Sequence, residues 1–141
     1  MTSVILDSGP LIAYFDRRDQ DHERVHRWFA SSGERHRLLC TEAVVTEVTH
    51  LLDFDVPLQT TFLLWAAQAT TIHPIPVSAY PDIAQWMLGY ANVPMDFADA
   101  TVLWLYSTTS GSQILTLDQR GFGVFRLPGQ SRKAPKVIAL V

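Results

Sequence analysis

"VILDSGPLIAYFD", Val4 to Asp16, carries the fold in miniature. Val4, Ile5 and Leu6 form an apolar run with no polar face, the mark of a strand covered on both sides. Asp7 stops the run, and the Ser8-Gly9-Pro10 turn opens a short helix with Ser8 as its cap and Pro10 in its first turn. The phrase returns near the far end of the chain in "ILTLDQRGF", Ile114 to Phe122, where a second apolar strand stops on Asp118. Two strands that run into a core each end on a carboxylate.

Between them, strand-like and helix-like stretches alternate. "DQDHERVHRWFASS" places Val25, Trp28 and Phe29 on one side of a charged helix, and "RLLCT" reads as a second strand. "EAVVTEVTHLL" is a helix with Val44, Val48, Leu51 and Leu52 as its apolar face, and the next helix starts at Pro57. "IHPIPV" is extended, because residues preceding proline avoid the helical region. "AYPDIAQWMLGYA" is amphipathic, and "MDFADATVLWLYSTT" after Pro94 is a helix with a strong start. "QILTL", a loop and a final "KVIALV" strand complete the chain. The expected architecture is α/β, an α/β/α sandwich with a mostly parallel central sheet flanked by helices. With no repeat, linker or low-complexity tract, residues 1–141 read as a single domain. In such sheets the working crevice lies at the carboxyl ends of the strands, so Asp7 and Asp118 are expected to face one another there.

The hydrophobic fraction of 48% and charged fraction of 18% describe a packed globular chain. The one cysteine, Cys40, excludes an internal disulfide. No basic leader with an apolar run and no 18-residue apolar span is present, so a cytoplasmic protein without membrane attachment is expected. The net charge of -3 is unevenly spread: residues 38–119 hold eight acids and no Lys or Arg, while the flanks hold all eleven bases. An acidic centre with basic ends suits a cation site beside an anion-binding rim.

Four acids invite chemistry, though each has a plain structural reading. Asp7 and Asp118 resemble turn initiators. Glu47 lies on the edge of its helix's apolar stripe. Asp96 is a natural N-cap, with Asp99 well placed against the helix dipole. Yet the helix beyond Asp99 is apolar nearly all round, so Asp99 heads a buried element and Asp96 is the better structural cap. Four carboxylates gathered ~5 Å apart would repel by a total on the order of 20 kcal/mol at an effective dielectric of ~20. Protons or a cation must relieve that repulsion. Oxygen ligands select a hard ion, Mg²⁺ or Mn²⁺, of the kind that activates water for attack on a phosphodiester.

In "VILDSGPLIAYFD", "TEAVVTEVTHLL", "MDFADATVLWLY" and "ILTLDQRGF", taken in order, the chain resembles the PIN-domain nucleases and, within them, the VapC toxins of toxin-antitoxin pairs. The resemblance implies Asp7, Glu47, Asp99 and Asp118 as catalytic, metal-binding acids, with Ser8 supporting the metal shell. It implies a Mg²⁺-dependent endoribonuclease leaving 5′-phosphate and 3′-hydroxyl ends, dimeric, and silenced by a cognate antitoxin. One departure stands out. Many relatives carry a further acid before the phenylalanine that follows the last aspartate, where this chain has Gly121 before Phe122. A second metal position is therefore expected to be weaker or absent.

Arg17, Arg18, Arg24 and Arg27, with Arg120 beside the last acid, are candidates to hold an RNA backbone. Three rival readings remain. "HERVH", His22 to His26, matches the HExxH pattern of zinc peptidases, which needs a cleft and a third ligand. A receiver domain also places aspartates at strand ends, but its paired acids are missing from the first strand. A PIN-like fold kept only as a protein-binding module would gain stability by losing the four charges.

Overall fold

The computed structural model describes residues 1–126 and 134–140. Strands β1 (Thr2–Leu6), β2 (His36–Thr41), β3 (Thr71–His73) and β4 (Gln113–Leu115) form one sheet in the order β3-β2-β1-β4, every pair parallel. Helices fill each crossover: α1 (Ser8–Phe15) and α2 (His22–Ser32) join β1 to β2, and α3 (Glu42–Leu51) and α4 (Val56–Ala69) join β2 to β3. α5 (Tyr80–Gly89) and α6 (Phe97–Thr108) lead back to β4, and α7 (Gln119–Val124) follows it. The expected sandwich with its parallel sheet is thus present. No described helix is long and apolar enough to cross a membrane.

Strand order places the crevice. The chain first builds the sheet from β1 toward β3 and then crosses back to lay β4 on the other side of β1, so the switch point lies between β1 and β4. Val4, Ile5 and Leu6 are fully buried because β1 is flanked on both edges and covered by helices, chiefly α6. Helix α6 packs on β1, β2 and β4 and buries Ala98, Ala100, Thr101, Val102, Leu103 and Leu105, residues on every side of its axis. Thr41, at the end of β2, shares a 2.9 Å hydroxyl bond with Thr101 and also caps α3 by accepting from the Val44 amide. One threonine thereby ties the helix that carries Glu47 to the helix that carries Asp99.

Several local expectations change. The cap position of α1 is Asp7, and Ser8 is the first helical residue. Leu51 is 49% exposed, since the buried stripe of α3 runs Val44, Val48, Leu52 at four-residue steps and leaves Leu51 above Glu47 on the outer edge. The stretch after Asp118, expected to be a loop, is the short helix α7, nucleated by an Asp118 cap and anchored by buried Phe122. "KVIALV" does not form a full strand: Val137 makes one parallel bridge with Ile114, held by Ile114 N–H to Lys136 O and Ile138 N–H to Ile114 O. Val141 lies outside the described residues.

Candidate functional site

Asp7 stands at the centre of the crevice. Its backbone N–H extends the β1–β4 ladder onto Leu115 O at 3.0 Å, and the residue is 3% exposed. Thr116 donates its hydroxyl to Asp7 Oδ2 at 2.7 Å and accepts the Asp118 N–H on the same oxygen at 2.9 Å. This one hydroxyl positions the first and last acids of the chain together. From sequence, Thr116 is one more β-branched strand residue, and only its partner 109 positions away makes it part of the site.

The other acids come from three helix starts or edges. Glu47, on α3, accepts a hydrogen bond from Ser8 and faces the Asp96 carboxyl. Asp96 caps α6 by accepting the Asp99 N–H at 2.7 Å, and Asp99 Oδ2 answers by accepting the Asp96 N–H at 3.2 Å, a reciprocal capping box. Asp118 Oδ1 accepts the Gly121 N–H at 2.9 Å and caps α7. Glu47, Asp99 and Asp118 all interact electrostatically with Asp7, so the fold brings the other three expected acids within electrostatic reach of it. Ser8 and Asp96 join them, both in contact with Glu47.

The electrostatics register the crowding. Burial pushes the Asp7 carboxyl up to about 6; the Thr116 and Ser8 hydrogen bonds oppose the rise, while the charges of Glu47 and Asp118 add to it. Desolvation and then the Asp7 and Asp96 charges lift Asp99 to about 8. Glu47 also rises above the usual carboxylate range, first through burial and further through Asp96.

Do these residues fit a divalent ion? Asp7 Oδ1 is buried and has no hydrogen-bond partner among the described residues, an orphaned acceptor. The donors are all hard, as Mg²⁺ or Mn²⁺ requires. As the side chains stand, no set of three described His, Cys, Asp or Glu residues is placed to hold a metal ion. The hydrogen bonds explain this: Asp99 and Asp118 are each turned onto a helix-capping N–H. The donor set fits the ion, and each of these two carboxylates has one oxygen engaged by its cap.

Replacing Thr116 with valine keeps the shape but strands the Asp118 amide and a second Asp7 oxygen. We expect a loss of about 2–4 kcal/mol of stability, the combined worth of one charge-assisted and one neutral hydrogen bond. Urea denaturation at neutral pH measures it, and Thr116→Ser should retain most of the lost stability.

The five arginines do not gather at this site. Arg120 is exposed and lies two residues beyond Asp118. Arg17 and Arg18 follow the far end of α1, whose eight residues span about 12 Å from Asp7. Arg18 pairs with Asp16 at 3.1 Å and lies over the Phe54 ring, while Arg24 pairs with Asp21 and reaches Leu140 O. Arg17 and Arg27 line a separate groove between α1, α2 and α4, together with His22 and His26. His22 Nδ1 is bonded to Ala13 O at 2.7 Å, and no third ligand joins the two histidines among the described residues. The HExxH pattern therefore gains no zinc centre.

The comparisons with known proteins bear on the fold. No family model matches the chain. Ribonuclease VapC26 of Mycobacterium tuberculosis is 27% identical over 132 residues, 92% of this chain and 96% of that protein. Among solved structures, Mycobacterium tuberculosis VapC20, a toxin that cleaves the sarcin-ricin loop, superposes with a TM-score of 0.70 at 15% identity, over 79% of this chain and 87% of that one. A chain of the DNA-bound VapBC complex from Salmonella typhimurium gives a TM-score of 0.63 at 12% identity over 98% of both chains.

Proposed function

We propose, on the premise that this chain is a PIN domain of the VapC toxin type, that it is a divalent-metal-dependent endoribonuclease. The single observation that carries the proposal is the orphaned, buried Asp7 Oδ1 at the β1–β4 switch point, within electrostatic reach of Glu47, Asp99 and Asp118. A protein-binding module has no use for such a group. It would gain stability by replacing it, because a buried carboxylate with an unpaired oxygen is costly to fold around.

In this reading Asp7, Glu47, Asp99 and Asp118 hold Mg²⁺ or Mn²⁺, which when bound supplies Lewis-acid stabilisation of the phosphate and a water acidic enough to attack it. The residues around the ion have separate tasks. Thr116 fixes Asp7 and the Asp118 backbone relative to each other. Ser8 orients Glu47, and Asp96 sets the start of α6 so that Asp99 faces the crevice. Arg120, exposed beside Asp118, is placed to meet a backbone phosphate. The substrate is RNA, and the partner is a cognate antitoxin that silences the enzyme in the cytosol. A homodimer is the working form, and residues 1–141 act as one domain.

Incubation of purified protein with pooled cellular RNA tests the function. Cleavage is expected with Mg²⁺, and none with EDTA or with Asp99→Asn. Intact RNA under Mg²⁺ and Mn²⁺, from folded protein free of antitoxin, would favour the binding module instead.

A further inference from the structure

Gly121 is the position at which the chain departs from the resembled pattern, and its surroundings give the departure a purpose. The residue is buried at the third position of α7. Its φ does not lie in the left-handed region, so the backbone makes no demand for glycine. Space makes the demand. A Cβ built on Gly121 would overlap Asp118 Oδ2 and lie 3.0 Å from Cγ and 3.2 Å from Oδ1. The whole Asp118 carboxylate rests where a side chain at 121 would be, with Oδ1 on the Gly121 N–H at 2.9 Å.

We propose that Gly121 is a positioning residue that parks Asp118: by lacking a side chain it lets the carboxylate dock on the first turn of α7, away from the ion. The inference rests on the reading that Asp118 is one of four acids holding a divalent ion. In this reading metal binding draws the carboxylate off its place against Gly121, and the cap competes with the ion for the same group. Alanine at 121 removes the parking place. The obstructed atom is the far end of a flexible side chain, so Asp118 can swing aside without moving the backbone.

The test is Mn²⁺ binding to the full-length chain, read by titration calorimetry in wild type, Gly121→Ala and Asp118→Asn. Loss of a competing N-cap, typically worth ~1 kcal/mol, should tighten binding by Gly121→Ala about fivefold. Asp118→Asn keeps a capping side chain but should bind more weakly than wild type. In wild-type protein, Mg²⁺ should also raise the hydrogen-exchange rate of the Gly121 amide, a readout that requires no variant to fold. Unchanged or weaker Mn²⁺ binding by folded Gly121→Ala overturns the inference, as does a Gly121 amide whose protection is untouched when Mg²⁺ binds. A wild type that binds neither ion overturns the metal reading and this inference together, whereas wild-type binding that Gly121→Ala leaves unaltered overturns the inference alone.

Discussion

Asp7→Asn is expected to move activity and stability in opposite directions. RNA cleavage should fall by at least ~10²-fold, about 2.7 kcal/mol of lost transition-state stabilisation, because the central metal ligand loses its charge. The metal-free protein should become more stable at pH 8. Burial raises Asp7 from an ordinary carboxylate value to about 6, and ionising it inside the fold therefore costs about 3 kcal/mol above that pH. Asparagine is isosteric and uncharged, can accept the Thr116 hydroxyl, and turns an N–H toward the neighbouring carboxylates. In a chain of this length about 3 kcal/mol corresponds to a rise in Tm of about 10 °C. Thermal denaturation in EDTA beside an RNA cleavage assay measures both arms. A variant that loses activity and also melts lower would mean that the Asp7 charge supports the fold, and the case for a burdened metal ligand would fail.

The second large effect is a pH dependence that metal reverses. In the unfolded chain Asp7 and Asp99 ionise near pH 4, but in the fold they hold their protons to about 6 and about 8. Between those limits the native state binds more protons than the unfolded state, so stability falls as pH rises and levels off above about 8. Asp99 is partly open to solvent, so Asp7 carries most of the effect; about one pH unit of its window lies above pH 5, about 1.4 kcal/mol, so Tm in EDTA should drop by about 5 °C from pH 5 to pH 8. Mg²⁺ binds the deprotonated carboxylates. Its stabilisation should be largest at pH 8 and vanish toward pH 5, where protons and metal compete for the same oxygens. A melting temperature that is flat from pH 5 to pH 8 in EDTA would show that Asp7 and Asp99 are not held protonated by the fold.

How much of this was legible in the sequence depends on how local each signal is. Strand β1 and Asp7 follow from three apolar residues and a turn. Helix α6 and the relation of Asp96 to Asp99 follow from acid spacing ahead of an apolar run, and α3 from its four-residue stripe. These are contacts within a few residues. Helix α7 was hidden because "DQRGFGV" carries two glycines, and it is held by one cap and by phenylalanine burial that only tertiary structure supplies. Thr116 was hidden for the same reason, its partner being at the other end of the chain. The last strand was overestimated because an apolar run cannot report that its neighbour, β4, offers only three residues to pair with. The arginines, read as one RNA-binding set, are divided by α1 and by local acids that the spacing of basic residues did not weigh.

The position of β1 in the sheet has a consequence for the order in which the crevice is completed. Strand β1 is an inner one, and its β4 partner follows it by more than a hundred residues. Asp7 acquires Thr116 and Asp118 with that pairing and not before. Until β4 pairs with β1, Asp7 stands at a strand end without its Thr116 hydrogen bond. The Asp7–Thr116–Asp118 arrangement thus belongs to the completed sheet and to no shorter segment of it.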